Sequence, residues 1–492
     1  MAPRARRKST TPAASEPPPP PPPVAPPALS PWRAALPVDL TLVSFVAALL
    51  LWFGARERHL ESLTGALRPK PAGDDIMAVA GSPGLPGAPT PAVPPPDLTP
   101  PPPLPPRWTS KTHASFTGER IADEDRLVGF YQALTRVAFK EAGAKLRIVQ
   151  FGDSITANDA VTSRARERLQ QSFGDGGAGF IYMVPASRHY RHLSVLQKAS
   201  AGWKIRSIVG AGVPDHLYGL GGASFEGGGE VSIATRKEAP GESVGSFDLY
   251  YLKQPRGGSF ELVVDGEVKA TVDTTAAAVS SGFERVEVAE GAHKLTVRAR
   301  GAARGYGVVL ERPGVGVTYD NLGLVSGSAK ALLQLPEEHW KQQLEHRGVN
   351  LAVVYLGANE ADYTPPGKAA MAEYETRYGA MLSKLRAALP AQASCLVFSI
   401  TDAANVVDGK VSTKPAVPGL VEAQRRAASA SGCAFWDAFK WMGGQGSVLK
   451  WRRRNEWEPD LTHPNRIGAA KLADGLIDAL LAGFDAYREQ HP

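Results

Sequence analysis

From residue 144 the hydrophobic pattern alternates between two periods. "AKLRIVQF" (144–151) is a continuous apolar run of strand length, and "DAVTSRARERLQQSF" (159–173) spaces its apolar residues as a helix with one buried face does. Asp159 stands where a helix N-cap is expected. Upstream, Leu127, Phe130, Tyr131, Leu134, Val137 and Ala138 predict a helix over 119–142. Residues 202–313 then change character. "SFDLYYL", "GSFELVVDG", "EVKATVDT" and "YGVVLER" are short, alternate apolar with polar residues, and are split by Gly, Asp-Gly and Glu-Gly turns. Such spacing predicts an all-β sandwich or jelly roll. After 313 the first pattern resumes: strands at "VGVTYDNLG", "NLAVVYLG", "SCLVFSIT" and "CAFWDA" alternate with helical stretches, the last being "NRIGAAKLADGLIDALLAGFDAY". Strands alternating with helices imply a parallel sheet covered on both faces. The expectation is therefore an α/β domain in two parts, 116–201 and 314–485, interrupted by a β domain at 202–313.

The first hundred residues follow a different logic. Residues 38–54, "VDLTLVSFVAALLLWFG", are almost wholly apolar and near the ~17–25 residues that cross a bilayer. Basic residues precede them and no small-residue cleavage site follows, which predicts an uncleaved signal anchor with a cytoplasmic tail at 1–37. Of the chain's 42 prolines, 28 precede residue 108, so 1–37 and 67–107 are low-complexity tracts that favour extended polyproline conformations over a packed core. The tract at 67–107 suits a spacer, placing the rest of the chain outside the cytoplasmic membrane, in the periplasm or beyond.

Charge adds little to this picture. The net charge is +6, but residues 1–58 contribute +4 of it, so the remainder has no basic face for nucleic acid. Two cysteines, Cys395 and Cys433, lie in apolar runs without metal-binding spacing. Buried free thiols are expected there, a disulfide being the alternative if the domain is exported.

Four polar clusters fall at predicted strand ends, where ligands bind in parallel α/β sheets. They are Gly152-Asp153-Ser154, the segment from Asn321 through Gly323 to Gly327, Gly357-Ala358-Asn359-Glu360, and Asp460 with His463. A serine hydroxyl needs a base to become a nucleophile. His463 suits that role, and Asp460 three residues earlier suits orienting it. A tetrahedral intermediate needs donors at its oxyanion, for which the Ser154 N–H, a loop glycine N–H and the Asn359 amide are candidates. Asp402 is a competing acid without a neighbouring histidine. Trp457, Trp451 and Arg454 are expected as substrate contacts, since sugar rings stack on indoles and Arg452 to Arg454 form a basic run. Trp436 and Trp441 are read as core, and His189, His192 and His216 as structural or rim residues.

This set resembles the SGNH (GDSL-type) hydrolase superfamily. "FGDSITAND", "DNLGLVSGSA", "LGANE" and "DLTHPN" are similar to its four blocks. The resemblance implies a flavodoxin-like three-layer fold, a catalytic triad of Ser154, Asp460 and His463, an oxyanion hole of Ser154, Asn359 and either Gly323 or Gly327 (Gly327 favoured), and no metal or organic cofactor. The glycine block is one residue longer than the family's, and Glu360 stands where many members have Asp. The insertion, with "FGDGGAGFIYMVP" and "HLYGLGGASFEG", is similar to the carbohydrate-binding-type sandwich of bacterial peptidoglycan O-acetylesterases. That implies an acetylated cell-wall glycan as substrate. An O-acetyltransferase on the same scaffold and a non-catalytic wall-binding protein are the competing expectations.

Overall fold

Five short strands with nearly every side chain buried lie parallel in one sheet: β1 (Lys145–Gly152), β2 (Gly316–Gly323), β3 (Leu351–Tyr355), β4 (Ser394–Phe398) and β5 (Ala434–Trp436). Their order is β2-β1-β3-β4-β5. This is the flavodoxin-like arrangement, whose switch point lies between β1 and β3. The computed structural model describes residues 116–407 and 410–491. The expected membrane segment and both Pro-rich tracts lie outside the described residues. Among those described, no helix is long and apolar enough to cross a membrane.

Alternation along each strand feeds two cores. In β3, Leu351, Val353 and Tyr355 join one cluster with the helices Val128–Ala138, Ala160–Phe173 and Arg466–Gln490. Ala352 and Val354 point the other way, toward the helices Glu337–Arg347, Lys368–Ala388 and Val417–Ala430. The result is three layers. The stretch 328–347 forms two helices, Ala329–Leu332 and Glu337–Arg347, with Pro336 immediately before the second.

The inserted β region is a pair of antiparallel sheets that share one core. One sheet runs through Ser280–Gly291, Val244–Lys253, Arg304–Glu311, Ala223–Glu226 and Lys204–Ser207. The other runs through Val195–Ala199, Gly229–Thr235, Lys294–Gly301, Gly258–Val264 and Glu267–Asp273. Its boundary differs from the expected 202. Gly179–Tyr182 already pairs antiparallel with Arg304–Glu311, so the β region starts at Gly179. "GFIY" is buried on both faces and lacks the alternation that marked the later strands.

Cys395 on β4 and Cys433 just before β5 form a disulfide, correcting the expectation of free thiols. The two residues sit on neighbouring strands, so the bridge reinforces the pairing of β4 and β5. Charge also ties the β region to the sheet. Glu311, on an antiparallel strand, accepts from Arg147 of β1 and Arg347 of the helix Glu337–Arg347, and Arg347 also holds Asp320 of β2.

Candidate active site

The register of the sheet brings three clusters to one rim. Gly152 pairs with Gly323 on one side and with Tyr355 on the other, so β1, β2 and β3 end level. Ser154 opens the short helix Ser154–Ala157 directly after β1, with Asp153 as its cap accepting from the Ile155 N–H at 2.9 Å. Gly152 is required by contact: a Cβ there would lie 2.0 Å from Thr156 Oγ1. At the first helical position the Ser154 N–H has no intrahelical acceptor and is free for a ligand.

The fourth cluster reaches the rim from a loop before the last helix. Trp457 bridges Pro464 through the backbone, and the Glu458 N–H donates to the His463 carbonyl at 2.8 Å. Asp460 Oδ1 accepts from the N–H groups of Thr462 and His463, both at 2.9 Å, while Oδ2 faces His463 Nδ1 at 2.8 Å. His463 Nε2 in turn lies 2.8 Å from Ser154 Oγ. A carboxylate at Nδ1 keeps the proton there and leaves Nε2 to accept from the serine hydroxyl. Burial raises the Asp460 pKa, but the two backbone amides and the imidazole outweigh it, and the net effect is a lowered pKa. Asp460 does not cap the last helix; Asn465 does, accepting from Ile467 and Gly468.

Asn359 donates one amide hydrogen to the Gly327 carbonyl at 2.9 Å and keeps the second. The two glycine amides are engaged elsewhere. Gly323 N–H donates to Asn321 Oδ1 at 3.0 Å, and Gly327 N–H closes a turn onto the Leu324 carbonyl at 2.8 Å. Neither expected glycine donor is therefore open in this conformation. The turn runs Leu324-Val325-Ser326-Gly327, with Ser326 at φ 66°, and Val325 and Ser326 both face the cleft.

Ser154, Asn359, Asp460 and His463 share a cleft of about 640 Å³ with Asn158, His189, Arg191 and Glu458. The expected substrate contacts are not in it. Trp457 is fully buried, and Trp451 is buried with its indole N–H on the Met442 carbonyl, so both belong to the core. Arg454 lines a different cleft, beside Trp441 and Lys471, and pairs with Glu456. Asp402 braces Thr413 and the Val448 N–H. Asp159 stands at the N-cap position but makes no cap bond; its buried carboxylate holds Arg166, Thr162 and the Leu193 N–H. The sequence reading missed Lys414, which is buried and bonds Thr462 and Asp362, linking the Asn359 segment to the His463 loop. It also missed Arg191. Two buried acids stand behind Ser154. Burial, the largest influence in each case, pushes Asp153 up to about 6 and Glu360 up to about 7.

Fold and site together support a carboxylic ester hydrolase similar to the SGNH type. Residues 288–471 match the GDSL-like lipase/acylhydrolase family. That span holds Asn321, Gly327, Asn359, Asp460 and His463, and begins within the β region, with Ser154 well upstream of it. Among solved structures, a peptidoglycan O-acetylesterase superposes with a TM-score of 0.60 at 22% identity, covering 73% of this chain and 96% of that one. An acetyl xylan esterase aligns over 33% of this chain and 80% of its own at 15% identity, TM-score 0.25. A family two carbohydrate esterase from Clostridium thermocellum aligns over 57% and 100% at 13% identity, TM-score 0.21. No curated protein sequence matches the chain significantly.

Proposed function

We propose that this protein is a serine esterase that removes O-acetyl groups from cell-wall polysaccharide through an acyl-enzyme on Ser154. The observation that carries the reading is the continuous line from Asp460 through His463 to Ser154, each link at 2.8 Å. Ser154 Oγ attacks the acetyl carbonyl while His463 Nε2 takes its proton. The developing oxyanion is met by the Ser154 N–H and the second Asn359 amide hydrogen. His463 then protonates the departing sugar oxygen, and a water deprotonated by His463 releases acetate. Asp460, ionised across the neutral range, orients the imidazole and stabilises its charged form. The substrate class rests on the fold shared with a peptidoglycan O-acetylesterase.

The apolar segment at 38–54 and the spacer at 67–107 support a single-pass anchor in the cytoplasmic membrane, with the esterase facing the wall. The Cys395–Cys433 disulfide agrees, since such bonds persist in oxidising compartments. The test is acetate release from O-acetylated peptidoglycan by the full chain and by Ser154→Ala. Release is expected to fall by about 10³-fold or more in the variant. Equal release by both proteins rules out the serine mechanism. Cleavage of aryl acetates with wall polymer left intact rules out the substrate.

A further inference from the structure

One wall of the catalytic cleft comes from the inserted β region. The segment from Arg188 to Ser194 links its strands Gly179–Tyr182 and Val195–Ala199, and exposed and buried residues alternate from His189 to Ser194. Tyr190, His192 and Ser194 are buried, whereas Arg188, His189, Arg191 and Leu193 are exposed. The buried half is bolted to the nucleophile elements. The Arg191 N–H donates to the Ala157 carbonyl at 2.9 Å, and Asn321 donates to the Arg191 carbonyl at 3.1 Å. The Leu193 N–H donates to Asp159 at 2.6 Å, and Asp159 is itself paired with the buried Arg166. Arg191 is thus carried on the back of the helix that presents Ser154.

Its side chain is held as well. One guanidinium nitrogen donates to the carbonyls of Arg188 at 2.6 Å and Tyr190 at 2.8 Å. The rest of the fork has no carboxylate partner among the described residues, although the chain pairs many of its other arginines. Arg188 Nε donates to His189 Nε2 at 2.9 Å. Arg191 is the arginine that lines the cleft. Asp460 and Glu458 lie in the same cleft. Asp460 is engaged with His463, so it does not neutralise Arg191.

We propose that Arg191 is a specificity-determining residue: its guanidinium receives a carboxylate that the substrate carries near the acetyl ester. A rigid, unpaired fork beside a nucleophile is suited to planar anion recognition, which Lys reproduces only as a point charge. The inference rests on the esterase reading above and narrows its substrate class to an anionic acetylated glycan.

The experiment uses the full chain and Arg191→Ala on O-acetylated peptidoglycan fragments, once with free carboxylates and once with those carboxylates converted to amides. The readout is the ratio of kcat/KM between the two. The unmutated protein is expected to favour the free acids by about 10-fold, through KM. Arg191→Ala is expected to abolish that preference and Arg191→Lys to restore part of it. Raising salt from about 50 to about 500 mM should erode the preference of the unmutated protein alone. Peptide-free glycan strands separate the two sources of the carboxylate: a preference that survives on them assigns it to the sugar, and one that vanishes assigns it to the peptide. The proposal is overturned if the unmutated protein shows no preference, or if Arg191→Ala keeps it. Those failures leave acetate release intact. Absence of release from any ester, aryl acetates included, defeats the esterase reading instead, and this inference with it.

Discussion

Asn359 carries the clearest prediction at the scale of single residues. Its amide spends one hydrogen on the Gly327 carbonyl and presents the other beside Ser154, while both glycine amides that could share its work are engaged. Asn359→Ala should therefore lower kcat by about 10²–10³-fold, the range that one oxyanion donor contributes. KM for an aryl acetate should change little, because the donor acts on charge that develops after binding. Steady-state kinetics decide it; a loss confined to KM would show that Asn359 only shapes the cleft. The reacting side chains were legible in the sequence because chemistry restricts their types and strand ends restrict their places. Trp451 and Trp457 were not, since an indole in a polar stretch has the same letters whether it is exposed or turned inward. Their burial depends on packing between the helix Ser447–Arg453 and the last helix. Arg191 was hidden for a related reason: its position follows from the alternation of a loop fixed by contacts with Ala157, Asp159 and Asn321.

At the scale of elements, the turn after β1 and the helix Ala329–Leu332 are joined by two buried acids. Glu360 Oε1 accepts from the Ala329 N–H at 3.0 Å, while its Oε2 has no hydrogen-bond partner among the described residues. Asp153 caps the nucleophile helix and raises the Glu360 pKa further. Both folded pKa values, about 6 and about 7, lie above those of the unfolded chain. Their stabilising contribution is present below pH ~4 and is lost as pH rises through 6 to 7. Glu360→Gln keeps the acceptor and removes the titration, so thermal unfolding between pH 5 and pH 8 should show a shallower decline than in the unmutated chain. The difference should be at most about 3 kcal/mol. An unchanged slope would mean that Glu360 does not ionise in that range. The bridge from β4 to β5 gives a second test. It closes a loop with a sequence separation of 38, for which chain entropy gives about 4 kcal/mol, so reduction or Cys433→Ser should lower unfolding stability by that order. Denaturant titration with and without reductant measures it, and a difference under about 1 kcal/mol would contradict the bond. Helices and parallel strands were readable from period alone. The pairing of two cysteines was not, because it depends on β4 and β5 being neighbours in space.

At the scale of the molecule, the question is how a β region interposed between Ser154 and the other catalytic residues leaves them in register. Periodicity revealed that an insertion exists, but it misplaced the first boundary, because Gly179–Tyr182 finds its partner strand more than a hundred residues later. What holds the insertion to the sheet is equally non-local. Glu311 of the β region, the half-buried Arg147 of β1, the buried Arg347 and the buried Asp320 of β2 form one network. Burial raises the Glu311 pKa, but the Arg347 charge and the bonds from Arg147 and Arg347 outweigh it and hold the carboxyl well below the usual carboxylate range. A lowered folded pKa gives stability that is present above the unfolded value and lost only as pH falls through the folded one, so the tie persists into strongly acidic solution. Removing one member leaves Arg347, 2% exposed, facing Asp320 with a guanidinium that had two acids. Glu311→Gln should accordingly destabilise the chain by about 3 kcal/mol or more. Because Arg147 and Arg347 belong to the α/β part and Glu311 to the β part, the loss should fall on their union: unfolding followed by tryptophan fluorescence should change from one transition to two. A single transition at the unmutated midpoint would show instead that the shared hydrophobic core alone couples the two parts.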